Sequence, residues 1–118
     1  ARSGLVIFLE KDPSVRHAYW RFIIRIHESL DRVQLKKHMA EKAIPIDWAY
    51  DPPLHLQPVF KKYLGDHKVL LPKTEIIMSE FICLPMHPFL SESDVDDICK
   101  NLEYCIEHLL DMKEMLNV

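Results

Sequence analysis

The strongest constraint on the fold is an apolar pattern near the end of the chain. From Ser91 to Leu110 the apolar residues recur at three- and four-residue spacing, which is typical of a helix with one buried face. The series is Val95, Ile98, Cys99, Leu102, Cys105, Ile106, Leu109 and Leu110. Ser91 or Ser93 is placed to cap this helix, and acidic residues fill its first turn. A helix with such a face needs a second layer to cover it.

The second layer is predicted to be a small sheet. Every even position from 18 to 26 is apolar, and polar side chains hold most of the other positions, so His17–Ile26 is predicted to be a half-buried strand. Shorter strands are predicted at Leu5–Leu9, Ile46–Trp48 and Ile82–Leu84. An antiparallel or mixed sheet fits this alternation, because one face is covered and the other is solvated.

Three further helices are predicted between these strands. Asp31 is placed to cap a helix over Arg32–Lys42, whose apolar side is Leu35, Met39, Ala40 and Ala43. Pro58 begins a short helix that Gly65 ends. Thr74 is the predicted cap of a helix that carries Ile76, Ile77 and Phe81. The order β-β-α-β-loop-α-α-β-α predicts an α+β fold, with the sheet covered by helices, as a single domain over residues 1–118.

Composition and charge exclude several functions. The balance of 15 Lys and Arg against 18 Asp and Glu gives a net charge of −3, which argues against a nucleic-acid partner. No apolar run is long enough to span a membrane, so we expect a soluble, cytoplasmic protein. Two glycines in the whole chain cannot build a glycine-rich phosphate loop. Three cysteines without a CxxC pair indicate reduced thiols, buried at Cys99 and Cys105.

Neither a metal site nor a catalytic group is predicted from the residue pattern. The seven histidines form no HExxH motif and lie at no finger spacing from cysteine. A Cys–His nucleophile pair is likewise unsupported, because Cys83 lies in a buried-looking strand.

The proline-rich run Asp51–Pro58, together with Tyr50 before it, forms the one loop that suggests a binding function. Its three prolines stiffen the backbone without using sheet hydrogen bonds, so polar side chains on it have fixed positions. Those side chains are Tyr50, His55 and Gln57. Two interpretations remain open from the residues alone: a binding loop, or a plain connection in which His55 caps the following helix.

Four segments occur in a fixed order along the chain. They are His17–Phe22, Glu41–Ile44, Tyr50 with the run PPLHLQPVFKKYLG, and ICLPMHPFLSESDVDDI. In this order and spacing they resemble the C-terminal part of the DegT/DnrJ/EryC1/StrS aminotransferases, over about Val15 to Leu110. These enzymes use pyridoxal phosphate (PLP) and act on nucleotide-linked keto-sugars. Two departures stand out: Ala43 replaces the usual glycine at a helix end, which suggests a different helix exit, and Ala49 replaces a frequent histidine.

The resemblance implies a small α+β domain like the C-terminal domain of fold-type I PLP aminotransferases. In that family the domain packs on a large PLP-binding domain, and its proline-rich loop faces the sugar-nucleotide cleft. Tyr50 and His55 would then lie on the substrate side, with Gln57 and Tyr19 as further substrate-binding residues. The implied partners are a nucleotide-linked keto-sugar, an amino donor and a second copy of the enzyme, and the implied cofactor of the full-length enzyme is PLP.

The catalytic groups implied by the family are missing from this sequence. A Schiff-base lysine, an acidic partner for the pyridine nitrogen and a phosphate-binding turn all belong to the large domain, and nothing here matches their motifs. By itself the chain is therefore expected to bind no cofactor and to have no aminotransferase activity. Two functions remain open: the cleft-completing domain of a sugar aminotransferase, or a free-standing, non-catalytic interaction or oligomerisation domain derived from that family.

Overall fold

The structure consists of a three-stranded sheet and four α-helices. It is a computed structural model that describes residues 4–116. The elements are β1 (Val6–Phe8), β2 (Phe22–Ile26), α1 (Arg32–Glu41), α2 (Pro58–Leu64), α3 (Pro72–Glu80), β3 (Phe81–Leu84) and α4 (Glu92–Leu116). A single 3-10 turn at Leu54–Leu56 precedes α2. No helix among the described residues is long and apolar enough to cross a membrane.

The sheet is antiparallel throughout, in the order β1-β2-β3, so the predicted α+β class is confirmed. Val6 pairs with Ile26, and Phe22 pairs with Leu84. One face of the sheet packs against α1 and α4. The buried core between them consists of Ile24, Ile26, Leu30, Leu35, Met39, Ile46, Ile82, Leu102, Cys105 and Ile106. The apolar face of α4 is thus buried at Ile98, Leu102, Cys105 and Ile106, whereas Val95 of the predicted series is exposed.

The predicted strand over His17–Ile26 is wrong in its first half. Only Phe22–Ile26 is strand, because its partners β1 and β3 are three and four residues long and the pairing ends at Phe22. Tyr19 has a positive φ of 47°, which takes the backbone out of the extended region. Trp20 is consequently 77% exposed, although its even position predicted a buried side chain.

Several smaller predictions also need correction. Ile46–Trp48 is not a strand but makes one isolated bridge between Asp47 and Cys83. Phe81 begins β3 and does not continue the helix before it. That helix starts at Pro72 with Leu71 as its cap, so Thr74 lies inside it, since proline is well suited to the first helical position. Cys99 is exposed on α4, whereas Cys105 is buried as predicted.

The cap of α4 is Ser91, one of its two predicted residues. The Ser91 hydroxyl accepts a hydrogen bond from the Asp94 N–H at 3.1 Å, and the Asp94 carboxylate accepts one from the Ser91 N–H at 2.8 Å. This reciprocal pair is a capping box, which satisfies two backbone donors at the helix start. Hydrogen bonds from Ser91 hold the pKa of the Asp94 carboxyl below its usual value.

The exit of α1 keeps the left-handed geometry that glycine favours, although alanine stands there. Ala43 has a φ of 59°, and the Ile44 N–H donates back to the Met39 carbonyl at 3.0 Å. This is the hydrogen bond of a Schellman ending. The expectation that Ala43 changes the helix exit is therefore wrong, and the alanine is strained instead.

Replacement of Ala43 by glycine is expected to stabilise the protein by about 0.5–1 kcal/mol, because glycine adopts positive φ without a Cβ clash. Urea unfolding measures this difference. The matched control is Ala40→Gly, at an exposed α1 position inside the helix, which is expected to destabilise by about 0.5–1 kcal/mol. Destabilisation by both substitutions would contradict the strain at Ala43.

Candidate functional site

The proline-rich segment from Tyr50 to Gln57, called the proline loop below, is held at its start by Arg32. Arg32 is the first residue of α1, and its side chain is 12% exposed. Its guanidinium donates to the Met78 carbonyl at 2.7 Å and to the Asp51 carboxylate at 2.6 Å. One side chain therefore joins the start of α1, the end of α3 and the proline loop.

Trp48 packs on the same guanidinium. Its ring lies 4.3 Å from the Arg32 Cζ atom, and its indole N–H donates to the Asp51 carboxylate at 3.0 Å. Lys36 covers the ring from α1 at 4.9 Å and donates to Asp47 at 3.0 Å. Hydrogen bonds from the backbone N–H of Trp48 and from the Lys36 ammonium group lower the pKa of the Asp47 carboxyl. The segment before the proline loop is thus fixed by cation–π contacts and charge-assisted hydrogen bonds.

His55 connects the proline loop to α3. Its Nε2 atom lies 2.9 Å from the Glu75 Oε1 atom, and its side chain is only 9% exposed. Glu75 also accepts a hydrogen bond from the Leu71 N–H at 3.1 Å, at the start of α3. The His55 hydrogen bond, followed by that of Leu71, lowers the pKa of the Glu75 carboxyl. The imidazole therefore faces α3. The alternative interpretation, in which His55 caps α2, is wrong.

Gln57 closes the proline loop on itself. Its side-chain amide donates to the Pro52 carbonyl, five residues earlier. The backbone N–H of Gln57 also donates to the Leu54 carbonyl at 3.1 Å. These two bonds, together with Arg32 and His55, fix the loop at its start, middle and end, which is the rigidity that a binding loop needs.

Tyr50 is an exposed aromatic side chain of the loop. It is 64% exposed and has a φ of 60°. Tyr19 also has a positive φ, and its ring packs on Phe22 with centroids 5.9 Å apart. Among residues 4–116 the non-glycine residues with positive φ are Tyr19, Ala43 and Tyr50. Such strain is found preferentially at functional sites, and two of these three residues are predicted substrate-binding tyrosines.

Three of the four predicted site residues lie on one loop, where Tyr50 is exposed, His55 contacts α3 and Gln57 donates to the Pro52 carbonyl. Tyr50, His55 and Gln57 share the proline loop, whereas Tyr19 lies on the connection between β1 and β2. Local sequence patterns do not predict the residues that hold the loop, which are Arg32, Trp48, Asp51 and Glu75. Arg32 is 19 residues from Asp51 and 46 residues from Met78 in sequence, so these groups meet only in the folded chain.

The described residues hold no cluster of metal-ligating side chains, and their lysines are exposed. No group of three or more metal-ligating side chains occurs within residues 4–116. All ten lysines of the chain are exposed, so none has the desolvated setting in which a lysine forms an imine. Burial raises the pKa of the Cys105 thiol, which is the opposite of an activated nucleophile.

Comparison with known proteins identifies the family. The family model described as the DegT/DnrJ/EryC1/StrS aminotransferase family matches residues 2–103. The chain belongs to this family. A solved structure of a putative sugar aminotransferase, Spr1654 from Streptococcus pneumoniae in its PMP form, superposes with a TM-score of 0.80 and 25% identity. The superposition covers 96% of this chain and 29% of that one.

Two curated relatives carry different names. The dTDP-4-dehydro-2,3,6-trideoxy-D-glucose 4-aminotransferase of Saccharopolyspora spinosa is 29% identical over 72% of this chain and 20% of its own length. A pleiotropic regulatory protein of Geobacillus stearothermophilus is 32% identical over 92% of this chain and 28% of its own length. The chain therefore spans less than a third of the length of each relative.

Substitution of Arg32 by methionine is expected to lower the free energy of unfolding by about 2 kcal/mol, because Asp51 and the Met78 carbonyl lose a charged donor. Urea unfolding gives this value. Two-dimensional NMR should also show a shifted Trp48 indole N–H and faster amide exchange in the proline loop.

The control is Lys37→Met on the exposed face of the same helix, for which we expect a change within about 0.5 kcal/mol. Equal stability of the two variants, with an unshifted Trp48 signal, would show that Arg32 does not hold the loop.

The bond between His55 and Glu75 is expected to weaken in acid. The folded-state pKa of Glu75 lies below its ordinary value of 4.5, so its contribution is present above that pH and is lost as pH falls through the lowered pKa. The stability of wild type relative to Glu75→Gln should therefore decrease between about pH 6 and pH 3. Glu107→Gln, exposed on α4, controls for the loss of one carboxylate. A difference that does not change over this range would refute the role of the ionised Glu75 carboxylate.

Proposed function

We propose that this chain is the C-terminal, cleft-completing domain of a PLP-dependent nucleotide-sugar aminotransferase. The observation that carries the proposal is the proline loop, which is fixed by Arg32, His55 and Gln57 and presents the strained, exposed Tyr50. A rigid loop with one projecting hydrogen-bonding ring is suited to orient a polar substrate such as a sugar. The name of the Saccharopolyspora relative supports a nucleotide-linked keto-sugar as that substrate.

In this proposal the residues of the chain bind and orient the sugar substrate, and they carry out no bond-breaking step. Tyr50 offers a phenol that both donates and accepts hydrogen bonds. His55 and Gln57 hold the loop that carries Tyr50, and Tyr19 contributes from the β1–β2 connection. The PLP of such an enzyme supplies the electron sink for transamination. Since no lysine here is buried, PLP and its lysine would belong to the rest of a longer enzyme.

Exposed apolar side chains support packing against further protein. Large apolar residues with more than three quarters of their surface exposed are Trp20, Tyr63, Phe89 and Leu116. Contact with a PLP-binding domain and with a second copy of the enzyme, in the cytoplasm, would cover apolar side chains of this kind, and we assign them to those contacts.

A second function is favoured by one observation, the name of the Geobacillus relative as a regulatory protein. In that case the chain would be a free-standing, non-catalytic interaction or oligomerisation domain, and the same apolar side chains would contact its partners. The two functions differ in one respect: only the first makes Tyr50 necessary for turnover of a sugar nucleotide.

A chimeric enzyme tests the proposed function. The segment of the Saccharopolyspora aminotransferase that aligns with this chain is replaced by the chain, and transamination of the named dTDP-sugar is measured. We expect activity well above that of the host lacking the segment. Tyr50→Leu should then reduce kcat/KM about tenfold or more, as loss of a substrate hydrogen bond does.

Tyr63→Leu is the matched control, because Tyr63 is a similarly exposed tyrosine outside the proline loop. It should leave kcat/KM unchanged. A chimera no more active than the truncated host, or equal effects of the two tyrosine substitutions, would contradict the proposal.

A further inference from the structure

The segment from the last turn of α2 to the start of α3, residues 61–73, is called the basic segment below. None of its residues is buried. Its apolar tip is Leu70 and Leu71, whose exposed fractions are 75% and 43%. The His67 N–H donates to the Leu64 carbonyl at 3.0 Å, so the chain turns directly after α2. The basic segment therefore places two leucines at the surface beside the end of a helix.

Four lysines surround this apolar tip. Lys61 and Lys62 lie in the last turn of α2, Lys68 precedes the tip, and Lys73 follows it. Against these four lysines the basic segment has one acidic residue, Asp66, so its charge is +3 in a chain of net charge −3. The lysines are exposed and make no ion pair or hydrogen bond with any residue in the described part of the chain. Positive charge without anionic partners is thus concentrated beside exposed leucines.

The charge and the residue types of the basic segment favour an anionic lipid surface over a protein partner. Protein interfaces are depleted in lysine and enriched in arginine, whereas residues 61–73 contain four lysines and no arginine. Ammonium groups are attracted to anionic headgroups as point charges, without a fixed pairing geometry. Apolar side chains beside them can enter the boundary between the headgroups and the acyl chains.

We propose that the basic segment docks this chain on an anionic membrane surface, with its lysines at the lipid phosphates and Leu70 and Leu71 at the acyl boundary. Docking of this kind requires no segment that spans the bilayer. The inference goes beyond the proposed function, because it concerns where the protein acts and not what it binds in its cleft. The docked surface lies next to the proline loop, since Glu75 accepts hydrogen bonds from Leu71 and contacts His55.

Co-sedimentation of the chain with lipid vesicles tests the docking. The probes are vesicles of phosphatidylcholine mixed with phosphatidylglycerol, and vesicles of phosphatidylcholine alone. We expect binding to the mixed vesicles that weakens as salt screens the lysines, and little binding to the neutral vesicles. The double variant Lys61→Gln/Lys62→Gln should bind the mixed vesicles about 25-fold more weakly, roughly fivefold for each lysine.

Matched variants separate docking from general effects of charge and apolar surface. Leu70→Ser should weaken binding about tenfold, because one inserted apolar side chain is lost. Its control is Leu9→Ser, which changes an exposed leucine on the connection between β1 and β2. The control for the lysines is Lys37→Gln/Lys100→Gln, at exposed positions of α1 and α4. Both control variants should bind as wild type does.

Several results would overturn the proposal. They are equal binding to the neutral and the anionic vesicles, no binding to either, and equal losses in a variant and its control. Release of the chain by inorganic phosphate at constant ionic strength would place a soluble anion, and not a lipid surface, at the lysines. Self-association of the wild-type chain that Lys61→Gln/Lys62→Gln abolishes, without vesicle binding, would place a second copy on the basic segment.

The outcome is separable from that of the proposed function. Vesicle binding requires no PLP and no turnover, and Tyr50→Leu should leave it unchanged. The active chimera should bind the mixed vesicles as the chain does. An active chimera that does not bind them would remove the docking and leave the cleft role. An inactive chimera together with vesicle binding by the chain would remove the cleft role and leave the docking in place.

Discussion

The position of the proline loop depends on one half-buried guanidinium. Arg32 donates to the end of α3 and to Asp51, while Trp48 packs on its face. Arginine suits this place because its planar group can donate in several directions and stack at the same time. Without it, a carbonyl and a carboxylate would lose their charged donor, and the hydrogen bond between His55 and Glu75 would remain to join the loop to α3.

The rest of the site follows from this attachment. With its start fixed, the loop reaches α3 again through His55 and Glu75, and it closes through Gln57. The strained backbone of Tyr50 lies next to Asp51, the residue that Arg32 binds. Strain of this kind persists only where neighbouring contacts over-determine the backbone, and the Arg32 and Trp48 contacts supply that restraint. The conformation of Tyr50 is thus a consequence of packing around α1.

The sequence predicts the parts of the fold that depend on local periodicity and on helix ends. The buried face of α4, the caps at Asp31 and Ser91 and the α+β class are of this kind. The strand His17–Ile26 fails because alternation continues past the point where β1 and β3 end, and strand length depends on those partners. The proline loop is visible in sequence as a run of prolines, but its attachments are not. They join residues that are tens of positions apart, which no local pattern encodes.

We propose that this chain functions as one part of a larger sugar aminotransferase. The intact mass of the protein isolated from its native source tests it most directly. We expect a polypeptide roughly three times as large as the 14.0 kDa of this chain, or larger, since the chain covers 29% of the solved Streptococcus relative. A native mass near 14.0 kDa would contradict it, and the chain would then be a free-standing domain without transamination.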